Sequence, residues 1–261
     1  MKIRAIGTGS HFCRHPLVTS SFLIQSEDSN VLVGCGPNIP AKLETINLSI
    51  EQIDMFILLS SRTDQVGGLE EVWNRKKEKK PYLVAPTLVL NELEGNKIYA
   101  PLWESFEMRG ISKVSLNEEH YSETVRFIKN YLVGQPPSYS LYFEESEVFV
   151  SGTTDLNDEF LHRNGMPAEI ILHQCITPAQ VGAGTTLQAL QELPVYLQQK
   201  IWLYGYGNDY LTLEEPLPML FLPQGSCVFD SERKDKHLEK ERFIRENSKR
   251  QMGNLTQPSS S

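Results

Sequence analysis

Histidine is scarce in this chain, with six among 261 residues, and none of its four cysteines belongs to a C-x-x-C pair. Cys13, Cys35, Cys175 and Cys227 stand far apart in the sequence, which gives neither a disulfide framework nor a zinc ribbon and leaves reduced thiols as the default. No apolar run approaches the roughly 18 to 20 residues that cross a bilayer. The opening MKIRAIGTGS reads as the start of a strand and not as a signal peptide, so a cytoplasmic protein without membrane association is expected. A formal charge of -8 removes any overall pull toward nucleic acid, and a nucleic-acid partner would need a local basic patch.

What is present fits one large α/β domain. The chain is 40% apolar and 22% charged, within the range of ordinary globular proteins and long enough to bury a substantial core. KIRAIGTGS reads as a strand feeding a glycine-bearing turn, and SSFLIQS (20–26) and NVLVGCG (30–36) flank a polar turn as a hairpin. IPAKLETINL has helical spacing. IDMFILLSS (53–61) is the nearly continuous apolar run of a strand covered on both faces, and it leads through SRTDQVGG into a helix, LEEVWNRKK. PYLVAPTLVL, SKVSL, TVRFIKNYLV, YSLYFEE and EVFVSG read as strands or strand-rich pieces, and AEIILHQC and KIWLYGYG as buried strands. TTLQALQELPVYLQQ reads as an amphipathic helix between those last two. Strands with interspersed helices and no fixed repeat predict a layered domain over 1–230. Residues 231–261 shift to mixed charge and then to Pro and Ser, which predicts a solvated helix followed by a disordered end.

The order of these pieces resembles the metallo-β-lactamase superfamily, in particular its ribonuclease Z-like and cyclic-nucleotide phosphodiesterase-like branch. Five segments carry the resemblance: GTGS at 7–10, GCG at 34–36, SSRTDQVGGLEE at 60–71, SGTTD at 151–155 and WLYGYGND at 202–209. The resemblance implies a four-layer αββα sandwich, a homodimer or an assembly with another protein, and a site at the meeting point of those segments. In the family the central motif reads His-x-His-x-Asp-His-x-Gly-Gly-Leu. Here Ser60, Arg62 and Gln65 stand at the histidine positions, and Asp64 remains beside Gly67 and Gly68. Thr153 stands where the family has a bridging aspartate, Gly34 where it has Asp-Cys-Gly, Gly184 in a segment that often carries histidine, and Gly205 at the final histidine. No histidine occurs in GQPPSYS (134–140) either.

Zinc is held by imidazole, thiolate or carboxylate, three or four together. Hydroxyl and amide groups are poor substitutes, glycine offers no ligand, and a guanidinium opposes a dication. The resemblance therefore implies a fold retained without its metal cofactors, and a former active-site pocket lined by Ser60, Arg62, Asp64, Gln65, Thr153, His173 and Gly205. Arg62, with nearby loop N–H groups, suits a phosphate or carboxylate; the alternative is an ion pair with Asp64 or another acid that fills the vacant cavity. His173 and Cys175 end a buried strand, where a packed histidine competes with a functional one. His11, Cys13 and His15 lie on one loop, either as alternating ligands or as the rim of the pocket. Thr153, Thr154 and Asp155 suit the pocket wall or an ordinary turn. Tyr131, Tyr139, Tyr142, Tyr204 and Tyr206 fall near segments that border the family's site, where aromatics either stack on a base or pack. The basic run Asn74–Lys80 is interrupted by Glu78 and reads as a solvated helix end more readily than as a phosphate-binding surface.

The expectation is a non-catalytic binding or interaction module with a small anion or nucleotide as its ligand, and with nucleic acid disfavoured. The alternative is a phosphodiesterase or ribonuclease-type hydrolase with an atypical metal site, recruiting Asp64, His173 and the 11–15 loop.

Overall fold

In the computed structural model, residues 1–75, 80–96, 102, 105–111, 119–122, 125–130, 135–156, 158–178, 180, 184–212 and 218–232 are described. The first sheet is built from β1 (Lys2–Gly7), β2 (Ser21–Gln25), β3 (Asn30–Val33), β4 (Met55–Ile57), β5 (Tyr82–Pro86), β6 (Glu107–Ile111) and a late strand, β14 (Cys227–Asp230). The second contains β7 (Glu119–Ser122), β8 (Val125–Lys129), β9 (Tyr139–Phe143), β10 (Val148–Val150), β11 (Ile170–Gln174), β12 (Ile201–Tyr204) and β13 (Leu220–Phe221). Their orders are β14-β1-β2-β3-β4-β5-β6 and β13-β12-β11-β10-β9-β8-β7.

Each sheet begins with antiparallel neighbours and continues with parallel ones. β2 and β3 form the expected hairpin, with Gln25 opposite Asn30, and β3 then pairs in parallel with β4. In the second sheet β9 and β10 are antiparallel, while β10, β11 and β12 are parallel. The apolar run through β4 is explained by this arrangement, because a parallel interior strand is covered on both faces.

Seven helices are described: α1 (Ile39–Glu44), α2 (Thr63–Val66), α3 (Leu69–Asn74), α4 (Thr87–Gly95), α5 (Asp158–Gly165), α6 (Leu187–Gln191) and α7 (Val195–Gln198). Leu43 of α1, Leu69 of α3 and Leu93 of α4 join the larger apolar cluster, which also contains Leu23, Leu141 and Leu172 from the two sheets. Leu161 of α5, Leu190 of α6 and Leu197 of α7 form a second cluster with Ile171, Ile201 and Leu203. Helices thus cover the outer face of each sheet, giving the four-layer αββα sandwich of the metallo-β-lactamase fold. Burying a side chain such as Phe56 or Phe149 contributes roughly 1.5 to 3 kcal/mol.

Two local readings of the sequence are corrected. PYLVAPTLVL is not one strand-rich piece, for β5 ends at Pro86 and α4 begins at Thr87. Val89, Leu90 and Leu93 share the buried face of that helix, a helical spacing that outweighs the β-type composition. The stretch after Thr186 is two short helices, because Pro194 has no N–H to continue α6 and instead precedes α7. Thr186 caps α6 by accepting a hydrogen bond from the Ala189 amide at 3.2 Å. SKVSL and Tyr131 lie outside the described residues, as does the charged tail beyond Glu232. Among the described residues no helix is long and apolar enough to cross a membrane.

Candidate functional site

Four segments converge where the two sheets meet. The loop after β1 is anchored by the Gly9 amide, which donates to the Val18 carbonyl at 2.8 Å, and by the Ser10 amide, which donates to that of Tyr206 at 3.0 Å. The loop after β4 reaches the second sheet through a bridge between Ser60 and Ser138. It then enters α2, whose Gln65 carbonyl accepts from the Cys35 amide at 2.7 Å. This approach needs a glycine beside it: a Cβ on Gly36 would lie 2.0 Å from Thr19 Oγ1 and 2.6 Å from the Asp64 carbonyl oxygen.

The third segment is the turn after β10. Asn130 Nδ2 donates to the carbonyls of Ser151 and Thr153 at 2.8 and 3.1 Å, and Asn130 Oδ1 accepts from Ser140 Oγ at 2.6 Å. Asn130 is buried, so its amide stands in for water in satisfying this turn. Gly152 sits there at φ +58°, and a Cβ on it would lie 2.1 Å from the Tyr139 carbonyl oxygen. The fourth segment comprises the ends of β11 and β12, with Gln174 held through its amide to Ser151 Oγ at 3.0 Å.

Between them lies a cavity bordered by Ser10, Ser60, Asp64, Gln65, Thr153 and Gln174, among others, with Tyr204 and Phe22 in its apolar wall. About 20 Å³ of it is open to the centre of a water molecule, room for one or two waters. Asp64 is buried. Its Oδ1 lies 3.4 Å from Arg62 Nε, close enough for ionic attraction and too far for a strong hydrogen bond, and 3.7 Å from His11 Nδ1. Asp64 Oδ1, Gln65 Oε1 and Ser10 Oγ are buried with no hydrogen-bond partner among the described residues. The site is therefore polar, narrow and rich in unsatisfied oxygen. Burial pushes the Tyr204 hydroxyl's pKa up; a hydrogen bond with Ser151 works against that shift, and the Asp64 charge adds to it.

The structure thus brings Ser60, Asp64, Gln65 and Thr153 together on one cavity, with Arg62 paired to Asp64 at its edge. His173 is not there. It registers with Leu203, in the outer apolar cluster, while Leu172 and Gln174 face the other way. The two-residue period of a strand decides this: His173 packs, as one of its two readings had it, and does not line the pocket in which the family resemblance placed it. Its Nδ1 lies 2.7 Å from the Gln174 carbonyl oxygen, and burial pushes the imidazole pKa down to about 4, a shift the hydrogen bond opposes. Gly205 also lies off the cavity lining, behind Gln174, where its amide donates to the Thr8 carbonyl at 2.8 Å.

Of the tyrosines, Tyr204 lines the cavity, while the Tyr206 hydroxyl lies 2.9 Å from Thr8 Oγ1 and donates to the Leu222 carbonyl at 2.6 Å. Tyr142 carries Arg126 over its ring, 4.6 Å from the centroid. Gln174, Ser138 and Ser10 were missed as lining residues. Gln174 was accessible in principle, since alternation from the core residue Leu172 points to it. The basic run is partly committed elsewhere, as Arg75 is paired with Glu44, Glu51 and Glu71.

The fold family implies a pair of metal ions at this junction, and the lining does not fit one. Among the described residues no three of His, Cys, Asp and Glu converge. The cavity offers one carboxylate, already facing a guanidinium, with hydroxyls and side-chain amides around it. Two zinc ions would need several imidazoles or carboxylates in their place.

Comparison with known proteins agrees with this architecture. A diphosphatase of the PhnP family superposes with a TM-score of 0.65 at 14% identity, covering 88% of this chain and 98% of that one. Human tRNase Z, short form, gives 0.64 at 12% identity, covering 88% and 99%. At such identities the likeness shows the fold alone. In sequence, the Anti-Pycsar protein Apyc1 of Paenibacillus sp. (strain J14) is 30% identical over 233 residues, 80% of this chain and 90% of the relative. The protein of the same name from Bacillus phage BSP38 is 26% identical over 237 residues, 80% of this chain and 90% of the relative. The family model described as "Anti-Pycsar protein Apyc1" matches residues 1–227, and the chain accordingly belongs to the Anti-Pycsar protein Apyc1 family.

Proposed function

We propose that this chain is a non-hydrolysing member of its family, which holds a small anionic ligand of nucleotide type at the mouth of the cavity without cutting it. The observation that carries the reading is the Arg62–Asp64 pair, 3.4 Å apart. By the motif resemblance, Arg62, Ser60 and Gln65 stand at positions where metal-binding relatives carry histidine, and Thr153 and Gly205 replace further ligands. A fixed positive charge beside the remaining carboxylate opposes a dication and suits an anion. Without metal to lower its pKa, water at this site is a weak nucleophile. The relatives' names speak of antagonism to Pycsar; in this chain such antagonism would work by retention of a ligand. A cytoplasmic location, and the dimer or hetero-oligomer implied by the family resemblance, belong to the same reading.

A hydrolase with an atypical metal site is the second reading, and His11 favours it: its Nδ1 lies 3.7 Å from Asp64 Oδ1, so the 11–15 loop does reach the site. Elemental analysis of the purified protein, with a phosphodiesterase assay on cyclic nucleotides, separates the two. The proposal expects substoichiometric zinc and manganese, no turnover, and thermal stabilisation by nucleotides. Ligand at a hundred times its dissociation constant should add about 2.7 kcal/mol of stability. Stoichiometric metal, with turnover abolished by Asp64→Ala, would overturn it.

A further inference from the structure

Two glycines beside the cavity have left-handed backbones, Gly34 at φ +73° and Gly205 at φ +75°. At each, the space a side chain would take is filled by a glutamine that also lines the cavity. A Cβ on Gly34 would lie 2.9 Å from Oε1 and 3.0 Å from Nε2 of Gln65. A Cβ on Gly205 would lie 2.4 Å from Cγ of Gln174, with Cδ at 3.2 Å and Nε2 at 3.3 Å.

The two contacts differ in kind. Over Gly34 lies the tip of Gln65, a flexible end that a rotation moves aside, and its Oε1 has no hydrogen-bond partner among the described residues to hold it. Over Gly205 lies the stem of Gln174, which fills the space between that glycine and the cavity. Backbone retreat is blocked on both sides of this second contact. The Gln174 amide donates to Ser151 Oγ at 3.0 Å, and the next amide, that of Cys175, donates to the Tyr204 carbonyl at 2.7 Å. The Gly205 amide is held by the Thr8 carbonyl at 2.8 Å, and Gln180 Nε2 donates to the Gly205 carbonyl at 3.3 Å. The room left between these side chains takes a water or two. A phosphate group, whose oxygens are each about the size of a water, needs several times that room.

We infer that Gln174 sets the size limit of this site: its side chain reserves the inner cavity for water, and an anionic ligand stops at the rim beside Arg62. This rests on the ligand-holding function proposed above and says where that ligand is halted. The test is the reactivity of a thiol placed on the cavity wall. Thr153 is buried and lines the cavity, whereas Cys35 is buried away from its lining. The full chain carrying Thr153→Cys is treated with methyl methanethiosulfonate, and modification of each cysteine is followed by peptide mass spectrometry. With Gln174 in place the introduced thiol should react slowly. Adding Gln174→Ala should speed it about tenfold or more and leave Cys35 unchanged, because a buried thiol reacts only when its surroundings open. Gln174→Leu, which keeps the bulk and loses the amide, should stay slow. Equal rates with and without Gln174→Ala, a fast Gln174→Leu variant, or an acceleration shared by Cys35 would overturn the size limit while leaving ligand holding intact. Stoichiometric metal with turnover in the wild-type chain would overturn ligand holding, and with it the halted ligand, whatever the labelling rates.

Discussion

Arg62 Nε lies 3.4 Å from Asp64 Oδ1, and the carboxylate side chain is only 9% exposed. A nearly buried charge without a counter-charge is costly, whereas a pair at the rim of a cavity is partly screened. Arg62→Ala should therefore destabilise the protein by about 1 to 2 kcal/mol. Asp64→Asn in the Arg62→Ala background should recover part of that loss, since no uncompensated charge then remains buried. Urea denaturation of the two variants checks this; a double variant less stable than Arg62→Ala alone would contradict it.

The turn after β10 depends on Gly152, which has φ +58° and lies close to the Tyr139 carbonyl. Gly152→Ala adds both backbone strain and a steric clash with rigid backbone, and should cost about 3 kcal/mol or more. Asn130→Ala should weaken the same turn by removing the side-chain donor to the Thr153 carbonyl and one of the two side-chain donors to that of Ser151, at about 1 to 3 kcal/mol. Chemical denaturation measures both, and a neutral result for Gly152→Ala would mean that this turn relaxes freely.

Burial lowers the His173 pKa to about 4, below its ordinary value near 6.5. Between those values the unfolded chain binds a proton that the folded chain refuses, so stability rises with pH across this window. The contribution is complete above pH 6.5 and is lost as pH falls toward 4, amounting to about 2 kcal/mol between pH 7.5 and pH 5. His173→Leu should flatten that part of the acid limb in a pH series of unfolding curves. An identical acid limb in wild type and variant would show that His173 is not the responsible group.

If charge and ligand chemistry explain the mismatch with metal, restoring the motif should reverse it. Ser60→His, Arg62→His and Gln65→His, combined with Thr153→Asp, should raise the zinc content of purified protein above that of the parent. Elemental analysis decides it, and equal zinc in both would show that side-chain identity at these positions is not what limits metal binding.

A layered α/β domain was legible in local patterns, namely the hairpin at 20–36, the continuous apolar run through β4 and the glycine-bearing turns, whereas the four-layer αββα form was what the family resemblance implied. Ser60, Asp64 and Gln65 were legible too, being carried on one short loop. Less was visible where periodicity is ambiguous. The strand into α4 reads as a single β-type stretch until Val89, Leu90 and Leu93 are seen on one buried face. His173 and Gln174 are adjacent in sequence, yet a pleated strand sends them to opposite faces, and only the register with β12 says which is which.

By itself the sequence determined most of the strands, the helix after the 60–68 loop and the chemical types available at the site, because these follow from residue identity and short-range spacing. Which polar atoms actually share the cavity, that Arg62 faces Asp64 at 3.4 Å, and that His11 arrives from a loop some fifty residues earlier were decided only by tertiary structure. Distances between chain-remote groups are set by the packing of two sheets against each other, a global compromise that no local pattern encodes.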